Sequence, residues 1–288
     1  MGKCTKKLKI ISFSLSLILL AGCAVSIVKS EWPDMEVIEQ TTVPKIRLPS
    51  ADGTEVYDAQ DVTLDTSNKN EGYIMARDNG ADAAYKLRIT GDNTAYTYDL
   101  TAGDYETFPL QCGSGKYNVR VLEQVQDDLY SPIYTLNLNV ELENDLLPYM
   151  YPSQIINYGQ DSLCVKASYA ISDGLSENSG ITDRLYHYVA ENISYDDEKA
   201  ASVQSGYLPN PDETLRSGKG ICYDFSALLA AMLRSHHIPA RLVVGYVSSL
   251  GELHAWNQVY LNGKWVWYDA VMDGSNYKES DYSESRRY

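Results

Sequence analysis

His254-Ala255-Trp256-Asn257-Gln258-Val259-Tyr260-Leu261-Asn262-Gly263-Lys264-Trp265-Val266-Trp267-Tyr268-Asp269 decides how the second half of the chain folds. Asn262-Gly263 supplies the two residues that a tight hairpin turn requires, because both central positions need positive φ. Residues suited to a pleated sheet flank it on either side. With Leu261 paired to Lys264, Trp256 stands opposite Asp269 and His254 opposite Val271. His254 and Asp269 then become diagonal neighbours on one face, about 7 Å apart at the backbone and within side-chain reach. An imidazole oriented by a carboxylate is what a general base needs. Asp273 lies on the other diagonal, as the second choice for that acid.

Upstream stands Gly218-Lys219-Gly220-Ile221-Cys222-Tyr223-Asp224-Phe225-Ser226. Phe225, Leu228, Leu229, Met232 and Leu233 follow the i, i+3, i+4, i+7, i+8 spacing of an amphipathic helix that ends near His237, before Pro239. Cys222 falls on the first turn of that helix, where unpaired N–H groups and the helix dipole stabilise a thiolate. The same N–H groups can hold an oxyanion, and Tyr207 in Ser205-Gly206-Tyr207-Leu208-Pro209 is a candidate further donor. His236 and His237 are expected to cap the helix carbonyls and His187 to face outward. Trp256, Trp265 and Trp267 are expected in the core and groove wall.

These residues resemble the transglutaminase-like superfamily, whose papain-like core uses Cys, His and Asp in that chain order. Three stretches carry the likeness. They are Gly220-Ile221-Cys222-Tyr223-Asp224-Phe225-Ser226, the helix with Ile238-Pro239-Ala240-Arg241-Leu242-Val243-Val244-Gly245-Tyr246, and His254-Ala255-Trp256-Asn257. The resemblance implies Cys222 as nucleophile, His254 as base and Asp269 as orienting acid, acting on an amide through a thioester. It implies no metal and no cofactor. Gln258 stands where the family pattern usually has Glu, and Ala270-Val271-Met272 where Pro or Thr is usual. Neither departure touches the three expected catalytic residues. The same residues serve cross-linking by an amine and hydrolysis by water, so the choice between them stays open.

The fold class expected is α+β. Strand patterns such as Tyr85-Lys86-Leu87-Arg88-Ile89-Thr90, with breaks at Gly91-Asp92-Asn93 and Gly113-Ser114-Gly115, predict an immunoglobulin-like β-sandwich over 59–146. A transglutaminase core of helices and antiparallel sheet is expected over 147–275. Helices are expected over 162–172 and 182–192, and a loop over 195–220. Residues 23–58 read as a tether and 276–288 as a flexible tail, since neither shows hydrophobic periodicity.

The first 22 residues read as a signal peptide: a basic start followed by a short apolar run. Leu20-Ala21-Gly22-Cys23 resembles the lipobox of bacterial lipoproteins, which makes Cys23 the expected lipidation site and the expected location extracytoplasmic, anchored to the membrane by lipid. Without that leader the chain carries 20 basic and 39 acidic residues, a net charge of −19. Such a surface argues against nucleic-acid binding. The partners expected are a protein or peptidoglycan-peptide substrate and the membrane. Cys112 and Cys164 are expected as buried thiols, with a disulfide between them the alternative. A non-catalytic binding lipoprotein is the competing class, and the coexistence of Cys222, His254 and Asp269 speaks against it.

Overall fold

The computed structural model describes residues 32–80, 83–248 and 251–288; the expected leader and Cys23 lie outside them. Alternation builds the N-terminal half. In β4 (Tyr85–Gly91) and β7 (Gly115–Gln126), Tyr85, Leu87, Ile89, Tyr117, Val119 and Val121 point inward and are buried. They belong to an antiparallel sheet of order β5-β4-β7-β8, with β5 at Thr94–Asp99 and β8 at Leu129–Val140. A second antiparallel sheet has the order β1-β2-β3-β6, from Val56–Ala59, Val62–Asp65, Tyr73–Asp78 and Glu106–Pro109. Leu64, Ile74 and Phe108 from this sheet share one core with Leu87, Ile89 and Val119, and the Tyr98 ring lies 5.0 Å from that of Phe108. Each such burial contributes about 1.5–3 kcal/mol.

Residues 32–58 were expected to be a tether, but part of the stretch is packed. Asp34 caps α1 (Met35–Gln40) by accepting from Val37 N at 3.1 Å, and Ile38 and Ile46 are buried. Gln160 fixes the chain further on, accepting from Ile46 N and donating to Pro44 O. The apolar residues here keep no sustained period, which hid this packing from the sequence.

The C-terminal half is built on α6 (Cys222–Ser235), which is buried from Asp224 onward. Around it lie α2 (Leu163–Ile171), α3 (Asn178–Asn192) and α5 (Pro211–Ser217). Helix α3 starts earlier than expected. The expected loop over 195–220 contains α4 (Asp197–Ser202), α5, and a short parallel pairing of β9 (Ser194–Tyr195) with β10 (Lys219–Gly220). Arg234 is wholly buried and donates to the carbonyls of Ala240, Tyr151 and Tyr288, so one guanidinium ties α6 to the segment that follows it and to two distant ones. Burial lowers its pKa to about 10.

The remaining sheet has the order β13-β12-β11-β14 and is antiparallel throughout. Its strands are β11 (Ala240–Val247), β12 (Leu253–Leu261), β13 (Lys264–Tyr268) and β14 (Tyr282–Arg287). Leu261 pairs with Lys264 as the turn chemistry predicted, and Asn262 and Gly263 have φ of 52° and 83°. Residues 276–288 correct the expectation of a flexible tail. Their strand β14 pairs with β11, and its burial is too slight to leave a hydrophobic period for the sequence to display. Gly245 permits the approach: a Cβ there would lie 2.1 Å from the Ser283 carbonyl oxygen.

Candidate active site

Cys222 occupies the first helical position of α6, after Ile221 at the cap. Gly220 leads into it, where a Cβ would lie 2.6 Å from Asp224 Cβ. Asp224 reaches back to accept from Ile221 N at 2.9 Å, and the first backbone bond of the helix runs from Asp224 N to Ile221 O. The N–H groups of Cys222 and Tyr223 lie ahead of that bond, at the positive end of the helix.

His254 stands at the start of β12 and Asp269 just past β13; both are buried, 6% and 1% exposed. His254 Nε2 lies 2.7 Å from Asp269 Oδ2. The ladder ends with Asn257 opposite Tyr268, short of the expected pairs Trp256–Asp269 and His254–Val271, but the His254 and Asp269 side chains still meet. Cys222 and His254 line one cavity, and the thiol acts on the ring electrostatically. With Nε2 engaged by the carboxylate, Nδ1 is the nitrogen left for the thiol. Burial acts to lower the His254 pKa, but the bonds to Asp269 and Cys222 outweigh it and raise the value to about 9.

Asp269 is held on both oxygens. Oδ1 accepts from Val271 N at 3.1 Å and Met272 N at 3.2 Å, while Oδ2 also accepts from Tyr282 Oη at 2.8 Å. Asp273 is drawn elsewhere, accepting from Tyr186 Oη at 2.8 Å. Asn257 bridges strand and helix by donating to Ser226 O and Arg241 O, which fixes β12 against the start of α6. No sequence signal marked Tyr282, which comes from the acidic, Tyr-rich tail; Asn257 stood in a quoted motif without an assigned role.

Tyr207 lines the same open cavity as Cys222 and His254, a space of about 600 Å3. Its hydroxyl, however, donates to Asp224 Oδ1 at 2.5 Å and accepts from Lys199 Nζ at 2.6 Å. Lys199 also reaches Asp224 Oδ2 at 2.7 Å. The expected oxyanion donor has thus committed its proton to Asp224, and the cluster fastens the 199–207 segment to the start of α6. Thr97 and Asp99, on the edge strand β5, line the cavity as well.

The other candidates fall outside this cavity. Cys112 and Cys164 are free thiols, and burial raises the pKa of both. The His236 ring does not cap the helix; it stacks on Tyr169 at 4.0 Å and lies 3.4 Å from Ser172 Oγ. His237 ends the helix through its backbone, at φ 59°. His187 is exposed. Trp256 is buried, while Trp265 and Trp267 are half-buried. Among the described residues no group of three or more His, Cys, Asp or Glu side chains is placed to hold a metal ion.

Residues 166–270 match the transglutaminase-like superfamily, so this part of the chain is a transglutaminase-like domain. UPF0252 protein MJ1282 of Methanocaldococcus jannaschii is 26% identical over 111 residues, which cover 37% of this chain and only 30% of that protein. Among solved structures, a Cytophaga hutchinsonii protein provisionally described as a cysteine protease is similar at 17% identity and a TM-score of 0.44, over 75% of this chain and 83% of that one. LapG of Legionella pneumophila is similar at 15% identity and a TM-score of 0.36, over 46% of this chain and 77% of that one.

Proposed function

We propose that the chain is a thiol enzyme that transfers an acyl group from an amide, a Gln side chain or a peptide bond, through a thioester on Cys222. The observation that carries this is one cavity lined by both a helix-start thiol and an imidazole that is bonded to a buried carboxylate. Cys222 gives its proton to His254, and the thiolate attacks the amide carbonyl carbon. The C–N bond then breaks as His254 passes that proton to the departing ammonia or amine. A primary amine or water, deprotonated by His254, attacks the thioester and releases the thiol, yielding a new amide or a carboxylic acid. Asp269 orients the ring and stabilises its cationic form. The leading N–H groups of α6 are the donors available to the oxyanion.

In this proposal the acyl donor is a polypeptide, from a surface protein or a peptidoglycan stem, because an open groove walled partly by an edge strand suits an extended chain. The two N-terminal sheets support an immunoglobulin-like sandwich: their orders fit that plan, and Tyr117 near the start of β7 donates back to Leu110 O and Gly113 O. Lipid attachment at Cys23 and work outside the cytoplasm rest on Leu20-Ala21-Gly22-Cys23. No helix of the described residues is long and apolar enough to cross a membrane.

The test is to incubate the full chain with a labelled primary amine and a Gln-containing protein, beside Cys222→Ala. Amine incorporation that disappears in the variant identifies a transferase; ammonia release or cleavage without incorporation, again lost in the variant, identifies a hydrolase. Equal behaviour of parent and variant in all three readouts overturns the proposal.

A further inference from the structure

The family match ends at residue 270, yet the carboxylate of Asp269 accepts a hydrogen bond from a side chain on the strand beyond it. We propose that Tyr282 is a positioning residue, which fixes Asp269 and tempers its hold on His254. The proposal rests on the catalytic role given above to Cys222, His254 and Asp269.

Three observations converge. Tyr282 Oη and His254 Nε2 meet the same oxygen, Oδ2 of Asp269, at 2.8 and 2.7 Å. The other oxygen is taken by Val271 N and Met272 N, so the carboxylate has no rotational freedom left. Asp269 is 1% exposed, and bulk water therefore has little access to replace the tyrosine as donor. The tyrosine itself is set before any substrate arrives. Its ring packs edge-on against Trp256 and Trp267, with centroids 5.0 Å away in each case. Its backbone pairs with Val247 on β11, in a strand that Gly245 allows to come close.

The chemistry follows from two donors sharing one oxygen. Each withdraws charge from Oδ2, so the tyrosine hydroxyl leaves less for the imidazolium and eases proton transfer from His254 to the leaving group. Burial first, and then the bond to Asp269, raise the Tyr282 pKa far above the ordinary phenol value and keep its proton in place. The titratable groups acting on this cluster are Cys222 from α6, Tyr186 from α3, and Tyr277 and Asp281 from the segment before β14.

The experiment is alkylation of Cys222 by iodoacetate across pH, followed by peptide mass spectrometry on the full chain, for the parent, Tyr282→Phe and Asp269→Asn. The reagent's carboxylate is drawn to the imidazolium, so the rate falls on the alkaline side as His254 loses its proton. Tyr282→Phe is expected to move that alkaline limb upward by about half a pH unit. 3,5-Difluorotyrosine at 282, which keeps the ring and donates more strongly, is expected to move it downward. It also serves where Tyr282→Phe proves unstable in a thermal melt. If Asp269→Asn shifts the limb and neither change at 282 does, Tyr282 only packs and the proposal is overturned. If Asp269→Asn also leaves the profile unchanged, the catalytic assignment beneath it fails instead.

Discussion

Strands β13 and β14 form opposite edges of one sheet, and each delivers a side chain to the same carboxylate site. β13 is joined to β12 through Asn262-Gly263, so its register follows from two adjacent residues. β14 returns to β11 after a long connection, pairs across a register shift between Val244 and Gly245, and depends on a missing Cβ. Asp269 enters from the first edge and Tyr282 from the second. Local turn chemistry thus places the acid, while long-range pairing places the group that steadies it.

The largest effect expected from breaking the first edge is Asp269→Asn. The amide keeps the shape but presents an N–H or a weaker acceptor to His254, so the ring loses its orientation and the stabilisation of its cation. The amine-incorporation or ammonia-release rate should fall about 10^3- to 10^4-fold with substrate affinity little changed. A loss below tenfold would mean that the β13 edge does not orient the base.

The same contrast explains what could be read from the residues alone. Cys222 at a helix start and the His254–Asp269 diagonal were legible because each depends on spacing within one motif, and both side chains arrive where that spacing puts them. Tyr282 was not legible. Its strand is nearly exposed, pairs with a segment distant in sequence, and is permitted by Gly245, which in sequence looks like any strand glycine. Ile38 and Ile46 escaped notice for the same reason, since each is buried by partners that no local pattern names. Tyr207 shows the converse: its motif made it a candidate oxyanion donor, but the competition of Asp224 for its proton was visible only in three dimensions.

Breaking the second edge calls for Gly245→Ala. The added methyl would meet the Ser283 carbonyl oxygen at 2.1 Å and the Trp256 ring at 2.8 Å, and the first of these is backbone that cannot swing aside. β14 must then lift from β11, at a cost of about 1–3 kcal/mol. For a chain of this size the melting temperature should fall by about 2–4 °C per kcal/mol. Activity should fall too, because Tyr282 leaves Asp269. An unchanged melting temperature together with an unchanged iodoacetate profile would show that the close approach of β14 is dispensable.

The smallest effect is the pH dependence that His254 imposes on stability. Its folded pKa is about 9, because the bonds to Asp269 and Cys222 outweigh burial, against about 6.5 in the unfolded chain. Between those values the folded state holds a proton that the unfolded state has released, so stability must fall as pH rises. The contribution is complete below about pH 6.5 and is lost as pH passes through about 9. His236 works the other way: burial lowers its pKa to about 4, so its contribution is intact above about 6.5 and is lost as pH falls towards 4. Denaturant midpoints separate the two. The gap between parent and His254→Gln should narrow from pH 6.5 to 9.5, a window below the ordinary range of tyrosine titration. The corresponding gap for His236→Gln should stay constant there and change only on the acid side. A parent–His254→Gln gap that is flat from pH 6.5 to 9.5 would mean that the imidazole is not held as a cation between the thiol and the carboxylate, and the hairpin edge would then organise the strand without organising the base.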